Sequence, residues 1–191
     1  MQKLYVAGVD EVGRGPLAGP VMAAAVILPA GLHIDGLRDS KKLTPKQRQY
    51  LHDIILDKAL AVAIASVDHE RIDEINIRMA ALEVMKQAVL SLSIQPDRVM
   101  VDGRDTLDIT IPQQAVIGGD DLVACISAAS VVAKVTRDRL MVQYHDKYPQ
   151  YDFIHNKGYG TQKHIEAIRE YGICPIHRIT FTKKFISEAR P

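Results

Sequence analysis

The sequence predicts an α/β protein in which helices flank a mixed β-sheet. Three early apolar segments, at residues 3–9, 20–28 and 59–67, have the length and composition of strands and suggest an antiparallel meander. Two shorter apolar segments, at 98–101 and 115–117, alternate with helical patterns and are expected to extend the sheet. With 191 residues, 47% of them apolar, the chain suits one globular domain with a substantial core.

The helices are predicted from their N-cap residues and their apolar periodicity. Thr44 is a typical N-cap and Pro45 suits the first helical position, so we expect a helix from there to about residue 58. Asp68 and Asn76 can cap a short helix at 69–74 and a longer one with an apolar face of helical period. Further helices are expected at 122–147, 161–171 and 183–189, with residues 173–181 irregular or extended.

Charge and cysteine content limit the possible classes of function. The formal net charge of +1 excludes a global basic field, although residues 1–120 carry −3 and residues 121–191 carry +4, which fits a metal site beside a polyanion surface. Cys125 and Cys174 have no metal-binding spacing, which argues against a zinc site and a disulfide framework and favours a reducing cytoplasm. We expect neither a signal peptide nor a membrane span, because the apolar segments are too short.

Acidic residues follow three of the predicted strands. Asp10 and Glu11 follow the first, Asp102 follows the fourth, and Asp120 with Asp121 follows the fifth. Because ligand sites of α/β sheets form at the carboxyl ends of strands, we expect the first three acids and Asp120 to converge. Four such carboxylates repel one another and need cations, and oxygen ligands favour Mg²⁺ or Mn²⁺. Two ions about 3.5–4 Å apart can hold the attacking and leaving oxygens of a phosphodiester.

Each acidic residue also has a purely structural interpretation. Asp10 and Glu11 can belong to an acidic hairpin turn, and Asp102 precedes a glycine, as in common turns. Asp120 or its neighbour can cap the following helix. Asp138, four residues after a lysine, is expected to form a solvated ion pair, although it could still reach the site as a neighbouring or substitute ligand.

The remaining motifs exclude several other chemistries. A glycine-rich loop at residues 13–20 lets the backbone approach a ligand closely, but it lacks the P-loop and dinucleotide-binding patterns. The seven histidines contain no zinc-protease motif, and His164 is expected to be structural. His177 and Arg178 are equally compatible with a phosphate contact and with packing, and Lys41 is a candidate phosphate contact.

Six sequence blocks, in the same order, make the chain resemble the bacterial ribonuclease HII family over nearly its whole length. The blocks are residues 9–21, 39–43, 101–103, 126–138, 157–161 and 177–178. The resemblance implies a ribonuclease-H-like fold with a mixed five-stranded sheet. It also implies a catalytic core at residues 1–148 and a small helical C-terminal segment at 149–191 that contributes to substrate binding.

The resemblance implies an endoribonuclease that cleaves the RNA strand of RNA–DNA hybrids. It also implies incision 5′ of a single ribonucleotide embedded in duplex DNA, with 5′-phosphate ends, in replication and repair. The metal-binding catalytic acids would be Asp10, Glu11, Asp102 and Asp120, holding Mn²⁺ or Mg²⁺, with two ions when substrate is bound. Related enzymes of other lineages place the fourth acid nearer the position of Asp138.

The resemblance also implies which residues contact the substrate. Gly13, Arg14 and Gly15 would contact the ribose 2′-hydroxyl, largely through their backbone. Tyr159 would stack on the following deoxyribose, where a second 2′-hydroxyl does not fit. We further expect a monomer, and the C-terminal residues show no sliding-clamp peptide.

Two other functions stay open at this point. The first is another two-metal enzyme on the same fold, such as a DNA nuclease or an integrase-like protein. Such an enzyme needs no contact to a 2′-hydroxyl, so the glycine loop and Tyr159 favour the ribonuclease. The second is a non-catalytic hybrid-binding module, and the acids Asp10, Glu11 and Asp102 count against it because a pure binder gains nothing from carboxylates beside phosphates.

Overall fold

A five-stranded mixed sheet forms the centre of the protein, for which a computed structural model describes residues 4–186. The strands are Val6–Val12 (β1), Val21–Ile27 (β2), Ala61–Val67 (β3), Arg98–Asp102 (β4) and Gln113–Val116 (β5). Their order is β3-β2-β1-β4-β5. β1, β2 and β3 form the predicted antiparallel meander, and β4 and β5 run parallel to β1. The predicted mixed sheet is therefore confirmed.

Helices cover the sheet and form the C-terminal part of the chain. They are Pro45–Lys58 (α1), His69–Ile75 (α2), Ile77–Leu90 (α3), Gly119–Leu122 (α4), Ala124–Lys147 (α5), Phe153–Asn156 (α6), Gln162–Tyr171 (α7) and Ile179–Ile186 (α8). The short helices α4 and α6 are additions to the prediction. The last helix begins at Ile179 rather than at residue 183, and residues 187–189 of the predicted helix lie outside the described residues.

The predicted N-caps are confirmed by their hydrogen bonds. Thr44 forms a capping box with Gln47, and Asp68 and Asn76 accept backbone N–H bonds at the starts of α2 and α3. Neither Asp120 nor its neighbour caps α5, because the N-cap position belongs to Val123 and the acid lies inside α4 instead. The alternative capping interpretation is therefore wrong.

The two faces of the sheet bury different helices because side chains alternate along each strand. Val9 packs with residues of α3 on one face, whereas Ala24 packs with residues of α1 and α5 on the other. Gly8 of β1 lies directly against α5, since a Cβ atom there would be 2.2 Å from the main-chain carbon of Cys125. This close approach places the N-terminal half of α5 beside the end of β1.

β1 continues past its predicted end at residue 9. Its antiparallel pairing with β2 extends to Val12 opposite Met22, whereas its parallel pairing with β4 ends at Val9 opposite Val101. Asp10 therefore lies within the strand, with a neighbouring strand on one side only. The gap that opens between the ends of β1 and β4 is the place where the acidic residues gather.

The segment after α5 packs on the glycine loop. Leu17 of the loop shares an apolar cluster with Met141 of α5 and with Phe153 and Ile168 from the C-terminal segment. A β-bridge joins Ala18 to residue 177. Within residues 4–186, the chain forms no helix with the length and apolar character needed to cross a membrane.

Candidate metal centre and substrate-contact residues

Three carboxylates converge at the gap between β1 and β4. One oxygen each from Asp10, Asp102 and Asp120 lies within 4.8 Å of the others. Asp102, the last residue of β4, accepts a 3.2 Å hydrogen bond at Oδ1 from the main-chain N–H of Asp120. This bond fixes α4 beside the end of β4. We call these three residues the acidic cluster.

Burial and mutual repulsion disfavour negative charge in the acidic cluster. Burial raises the pKa of Asp10 well above its usual value, and the charges of Glu11 and Asp102 add to the effect. Burial and the charge of Asp120 raise the pKa of Asp102. A cation among these oxygens offsets both effects, and an all-oxygen donor set suits Mg²⁺ or Mn²⁺. The residues therefore fit the divalent cation that the sequence predicts.

Glu11 lies outside the group of converging carboxylate oxygens. It lies on the opposite face of β1 from Asp10, but together with Asp102 it lines a cavity of about 80 Å³ beside α3, and Arg14 Nη1 donates to its Oε1 at 3.3 Å. Burial raises the pKa of Glu11, with the charge of Asp102 adding to the effect and Arg14 opposing it. The predicted convergence therefore brings three acids together and leaves the fourth beside them, within the field of Asp102.

Lys41 lies over the acidic cluster on a 3₁₀ turn, Ser40–Lys42. Its Nζ donates to Asp120 Oδ2 at 3.2 Å, and although burial opposes the effect, Asp120 raises the pKa of the lysine. Ser40 Oγ is 2.9 Å from Ser130 Oγ, and Ser130 lies near Asp10, where its hydroxyl partly opposes the rise in the pKa of that carboxyl. The turn is thus connected to two members of the cluster.

The next lysine and the extra acid form a second ion pair. Lys42 Nζ donates to Asp121 Oδ2 at 2.7 Å, and both side chains are exposed. This ion pair gives Asp121 a partner outside the group of converging carboxylates.

Asp138 lies away from the acidic cluster. Lys134 Nζ donates to its Oδ1 at 2.7 Å, as predicted from the spacing of four residues. Both side chains line a groove of about 520 Å³ that also includes Lys157 and Tyr159. The acid that joins Asp10 and Asp102 is therefore Asp120 rather than Asp138.

Arg178 holds the glycine loop from beneath. It is fully buried, and its guanidinium donates to the carbonyl oxygens of Gly13 at 2.6 Å, Arg14 at 2.9 Å and Gly19 at 2.9 and 3.0 Å. The predicted phosphate contact of Arg178 does not fit this geometry, because the N–H groups are directed at main-chain carbonyls in the interior. Burial lowers its pKa to about 9, with the charge of Arg137 adding to the effect.

A second buried arginine, which sequence reasoning missed, holds the same loop. Arg137 donates to the carbonyls of Pro20 at 2.9 Å, Ala18 at 3.1 Å and Lys157 at 2.9 Å. Burial lowers its pKa to about 10. Arg137 lies in one of the blocks that resemble the family, but its neighbours in sequence give no sign of these acceptors. The bond to Lys157 ties the glycine loop to the segment that carries Tyr159.

Gly15 and Tyr159 face each other across a narrow gap. A Cβ atom on Gly15 would lie 3.6 Å from Cε1 of the tyrosine, whose side chain is exposed. The carbonyl of Gly158 accepts a 2.8 Å bond from the N–H of Leu17, which holds the two segments together. The predicted contact residues Gly15 and Tyr159 therefore meet, and the side chain of Arg14 is exposed beside them.

The comparisons with known proteins identify the family. A family model described as Ribonuclease HII matches residues 7–184. The chain belongs to the ribonuclease HII family. A ribonuclease HII from Acetivibrio thermocellus is 56% identical over 181 residues, covering 95% of this chain and 71% of the relative. This family member is therefore an endoribonuclease.

Solved structures show the same fold. The ribonuclease H2 from Pyrococcus horikoshii OT3 superposes with a TM-score of 0.83 at 30% identity, covering 98% of this chain and 99% of that one. A chain of the PCNA:RNase HII complex from Archaeoglobus fulgidus gives a TM-score of 0.78 at 25% identity, covering 97% of each chain. These similarities confirm the expected ribonuclease-H-like fold of this family member.

Proposed function

We propose that this ribonuclease HII family member hydrolyses the RNA strand of RNA–DNA hybrids and incises duplex DNA 5′ of a single embedded ribonucleotide, leaving 5′-phosphate ends. The observation that carries the proposal is the arrangement of one short stretch of chain. Asp10 enters the acidic cluster, and five residues later Gly15 faces Tyr159. The acidic cluster and the contact between the glycine loop and the Tyr159 ring are thereby linked through a few residues.

Asp10, Asp102 and Asp120 would hold the divalent cation, with Glu11 available at the cavity that it shares with Asp102. When bound, two cations, Mn²⁺ or Mg²⁺, supply the Lewis acidity that promotes deprotonation of the attacking water and neutralises charge on the phosphodiester. Lys41 balances the charge of Asp120, and its exposed side chain is available to a phosphate of the substrate. Asp138 has no direct role in this proposal, since it is paired outside the cluster.

The glycine loop and Tyr159 supply the specificity. Distinguishing RNA from DNA at one nucleotide requires recognition of one hydroxyl. Main-chain groups of Gly13, Arg14 and Gly15 can approach a 2′-hydroxyl closely because the two glycines lack side chains. The Tyr159 ring then stacks on the next sugar and excludes a second 2′-hydroxyl. Arg178 acts by fixing the loop carbonyls rather than by contacting phosphate.

Several finer points belong to the same proposal. We expect residues 149–191 to contribute to substrate binding, because Tyr159 and Arg178 both lie there. We expect a monomer acting in the cytoplasm on hybrid and ribonucleotide-containing duplexes during replication and repair. The expected lack of a clamp-binding peptide concerns the C-terminal end, where residues 187–191 lie outside the described residues.

The test uses a DNA duplex with one embedded ribonucleotide and a matched all-DNA duplex. We expect a nick on the 5′ side of the ribonucleotide with Mg²⁺ or Mn²⁺, and no nick with chelator or in the all-DNA duplex. Cleavage of the all-DNA duplex would favour a DNA nuclease. Metal-independent binding without any cleavage would favour the binding module.

Tyr159→Ala separates the two parts of the proposal. We expect it to lower incision at the embedded ribonucleotide about tenfold, because the group that positions the next sugar is lost. Its affinity for plain duplex DNA, measured by fluorescence anisotropy, should change less. An equal loss in both assays would assign Tyr159 to packing alone.

A further inference from the structure

Two buried histidines lie behind Tyr159. His164 of α7 and His177 are fully buried, and their Nε2 atoms are 3.0 Å apart. His164 Nδ1 is 2.9 Å from the carbonyl oxygen of Tyr159, which also accepts a 2.8 Å bond from the N–H of Thr161. His177 Nδ1 is 2.9 Å from the main-chain nitrogen of Cys174. The four groups form one continuous chain of hydrogen bonds.

The two ends of this chain determine where the protons are. A carbonyl oxygen can only accept, so His164 Nδ1 must carry a proton and donate to Tyr159. The N–H of Cys174 can only donate, so His177 Nδ1 must be unprotonated. The protonated Nε2 of His177 then donates to the unprotonated Nε2 of His164. Both rings are neutral, and every proton in the chain has an acceptor.

The opposite arrangement is less favourable. If His177 carried its proton on Nδ1, it could reach the Cys174 carbonyl at 3.3 Å or the weakly accepting Cys174 Sγ at 3.1 Å, but the N–H of Cys174 at 2.9 Å would then face a second donor. His164 would then place an unprotonated Nδ1 against the carbonyl of Tyr159 at 2.9 Å, and two acceptors would repel each other.

The histidine pair also connects to the glycine loop. Residue 177 forms the β-bridge with Ala18, and the flanking bonds run from Gly19 N–H to the Ile176 carbonyl and from Arg178 N–H to the Leu17 carbonyl, both at 2.8 Å. The backbone of His177 is therefore tied to the loop, while its ring is tied through His164 to Tyr159. Together these bonds form a closed circuit that fixes the distance between Gly15 and Tyr159.

We propose that His164 and His177 are positioning residues that set the gap between the glycine loop and Tyr159, and so set the preference for a ribonucleotide followed by a deoxyribonucleotide. The role in preference rests on the function proposed above. The structural role, that the pair fixes the place of Tyr159, is independent of it. Neither histidine touches the substrate.

The surroundings keep the pair neutral. Burial lowers the pKa of His164, and burial together with the charge of His164 lowers the pKa of His177 to about 4. Two ionisable groups pack directly against the pair, the Tyr151 ring and the Cys174 thiol. The charge of His69 has a weaker effect on the pKa of His177. Burial raises the pKa of the Cys174 thiol to about 11, so it carries no charge near neutrality.

The first experiment measures the tautomers directly, without any assay of activity. Long-range ¹H–¹⁵N correlation spectra at pH 7 should show His164 protonated on Nδ1 and His177 protonated on Nε2. The signals of these two residues, among seven histidines, are assigned with His164→Asn and His177→Gln. A charged ring, or the reversed pair of tautomers, would overturn the proposal.

The second experiment compares His177→Leu with His177→Gln. The glutamine amide can donate to His164 from near the position of Nε2, whereas leucine cannot. The measured quantity is kcat/KM for an embedded ribonucleotide divided by kcat/KM for a continuous RNA–DNA hybrid. We expect this ratio to fall about tenfold in the leucine variant, as for other small misplacements of a contact group. It should stay within about twofold of the wild-type ratio in the glutamine variant.

Tyr151→Phe is the matched control for a purely structural effect. It removes a partly buried 2.9 Å hydrogen bond from a tyrosine of the same apolar cluster to the Gly172 carbonyl, but leaves the histidine pair intact. We expect lower thermal stability and an unchanged ratio. If the leucine variant behaves in the same way, the histidines only fill space and the proposal is wrong.

The outcomes also separate this proposal from the proposed function. If wild-type protein makes no nick at an embedded ribonucleotide, the proposed function and the role in preference both fail. The structural role is then decided by the Tyr159 amide signal, which should move in His177→Leu and not in Tyr151→Phe. If the leucine variant does not fold, the glutamine variant and the wild-type tautomers still decide the question.

Discussion

The acidic cluster and the glycine loop differ in the groups that surround their buried charged side chains. In the cluster, Asp10, Asp102 and Asp120 bring like charges together, and burial raises the pKa of the first two. Under the loop, two buried arginines, Arg137 and Arg178, are held by neutral main-chain carbonyls. The cluster therefore suits a cation as its partner, whereas the arginines under the loop already have theirs in the protein.

This difference shows that one site can combine a rigidly hydrogen-bonded loop with a cluster of mutually repelling carboxylates. A preorganised loop costs no rearrangement when the substrate arrives. A cluster of like charges destabilises the folded protein but attracts cations. Substitutions in the two regions should therefore have opposite effects on stability, and the following changes test that contrast from the largest expected effect to the smallest.

Asp10→Asn should nearly abolish cleavage while stabilising the metal-free protein. We expect activity to fall more than about 100-fold, beyond the usual effect of changing a group that only supports a metal ligand. Because the folded-state pKa of Asp10 is raised, the free energy of unfolding falls as pH rises through that pKa. The variant should therefore have a higher free energy of unfolding than the wild type at pH 7 in metal-free buffer.

Chemical denaturation with and without Mg²⁺ measures this gain. The difference in unfolding free energy between the variant and the wild type should vanish near about pH 3, where the wild-type Asp10 carboxyl is protonated in both the folded and the unfolded protein. It should also shrink or reverse when Mg²⁺ is added. A variant that is less stable than wild type in metal-free buffer would remove the contrast between cluster and loop.

Gly13→Ala should destabilise the protein strongly, because this residue has a φ of +95° and a Cβ atom would be 2.3 Å from Arg137 Nε. Gly103→Ala is the matched control, with a φ of +102° and open space around its Cβ position. We expect a loss of about 3 kcal/mol for the first and about 1 kcal/mol for the second, since only the first adds overpacking to backbone strain. Equal losses of unfolding free energy in urea denaturation would mean that the Arg137 side chain moves aside at no cost.

Gly15→Ala should change activity without changing stability. The new Cβ atom would make an ordinary 3.6 Å contact with Tyr159, so the free energy of unfolding should change by less than about 0.5 kcal/mol. The same atom adds bulk where the loop backbone is proposed to approach the 2′-hydroxyl. Incision at an embedded ribonucleotide should fall about tenfold, with KM rising more than kcat falls. Unchanged kinetics would place the sugar elsewhere.

The two neighbouring lysines give the smallest effects and a final comparison. Lys42→Ala breaks an exposed pair with Asp121 and should change stability by less than about 0.5 kcal/mol, with unchanged cleavage. Lys41→Ala removes the cation beside Asp120 and should raise KM severalfold, to a degree that depends on salt. If the two variants behave alike in cleavage assays at low salt, Lys41 has no special place at the cluster.

Local sequence signals account for most of the fold and part of the site. The cap residues Thr44, Asp68 and Asn76 start their helices as predicted because capping depends on a few neighbouring residues. The place of Glu11 was harder to predict, since β1 continues beyond its expected end and alternation turns this side chain to the other face. The extent of pairing with β2 decided that point.

The sequence by itself determined the order of strands and helices, the acids near the ends of β1 and β4, and the glycines that the loop requires. The tertiary structure decided which acid completes the cluster, what Arg137 and Arg178 bind, and how His164 and His177 are linked to Tyr159. The physical reason is that every residue has the same main-chain carbonyl, and every residue except proline has the same main-chain N–H. A sequence shows the donor side chain, but only folding selects which of these identical groups, up to 165 positions away, it will meet.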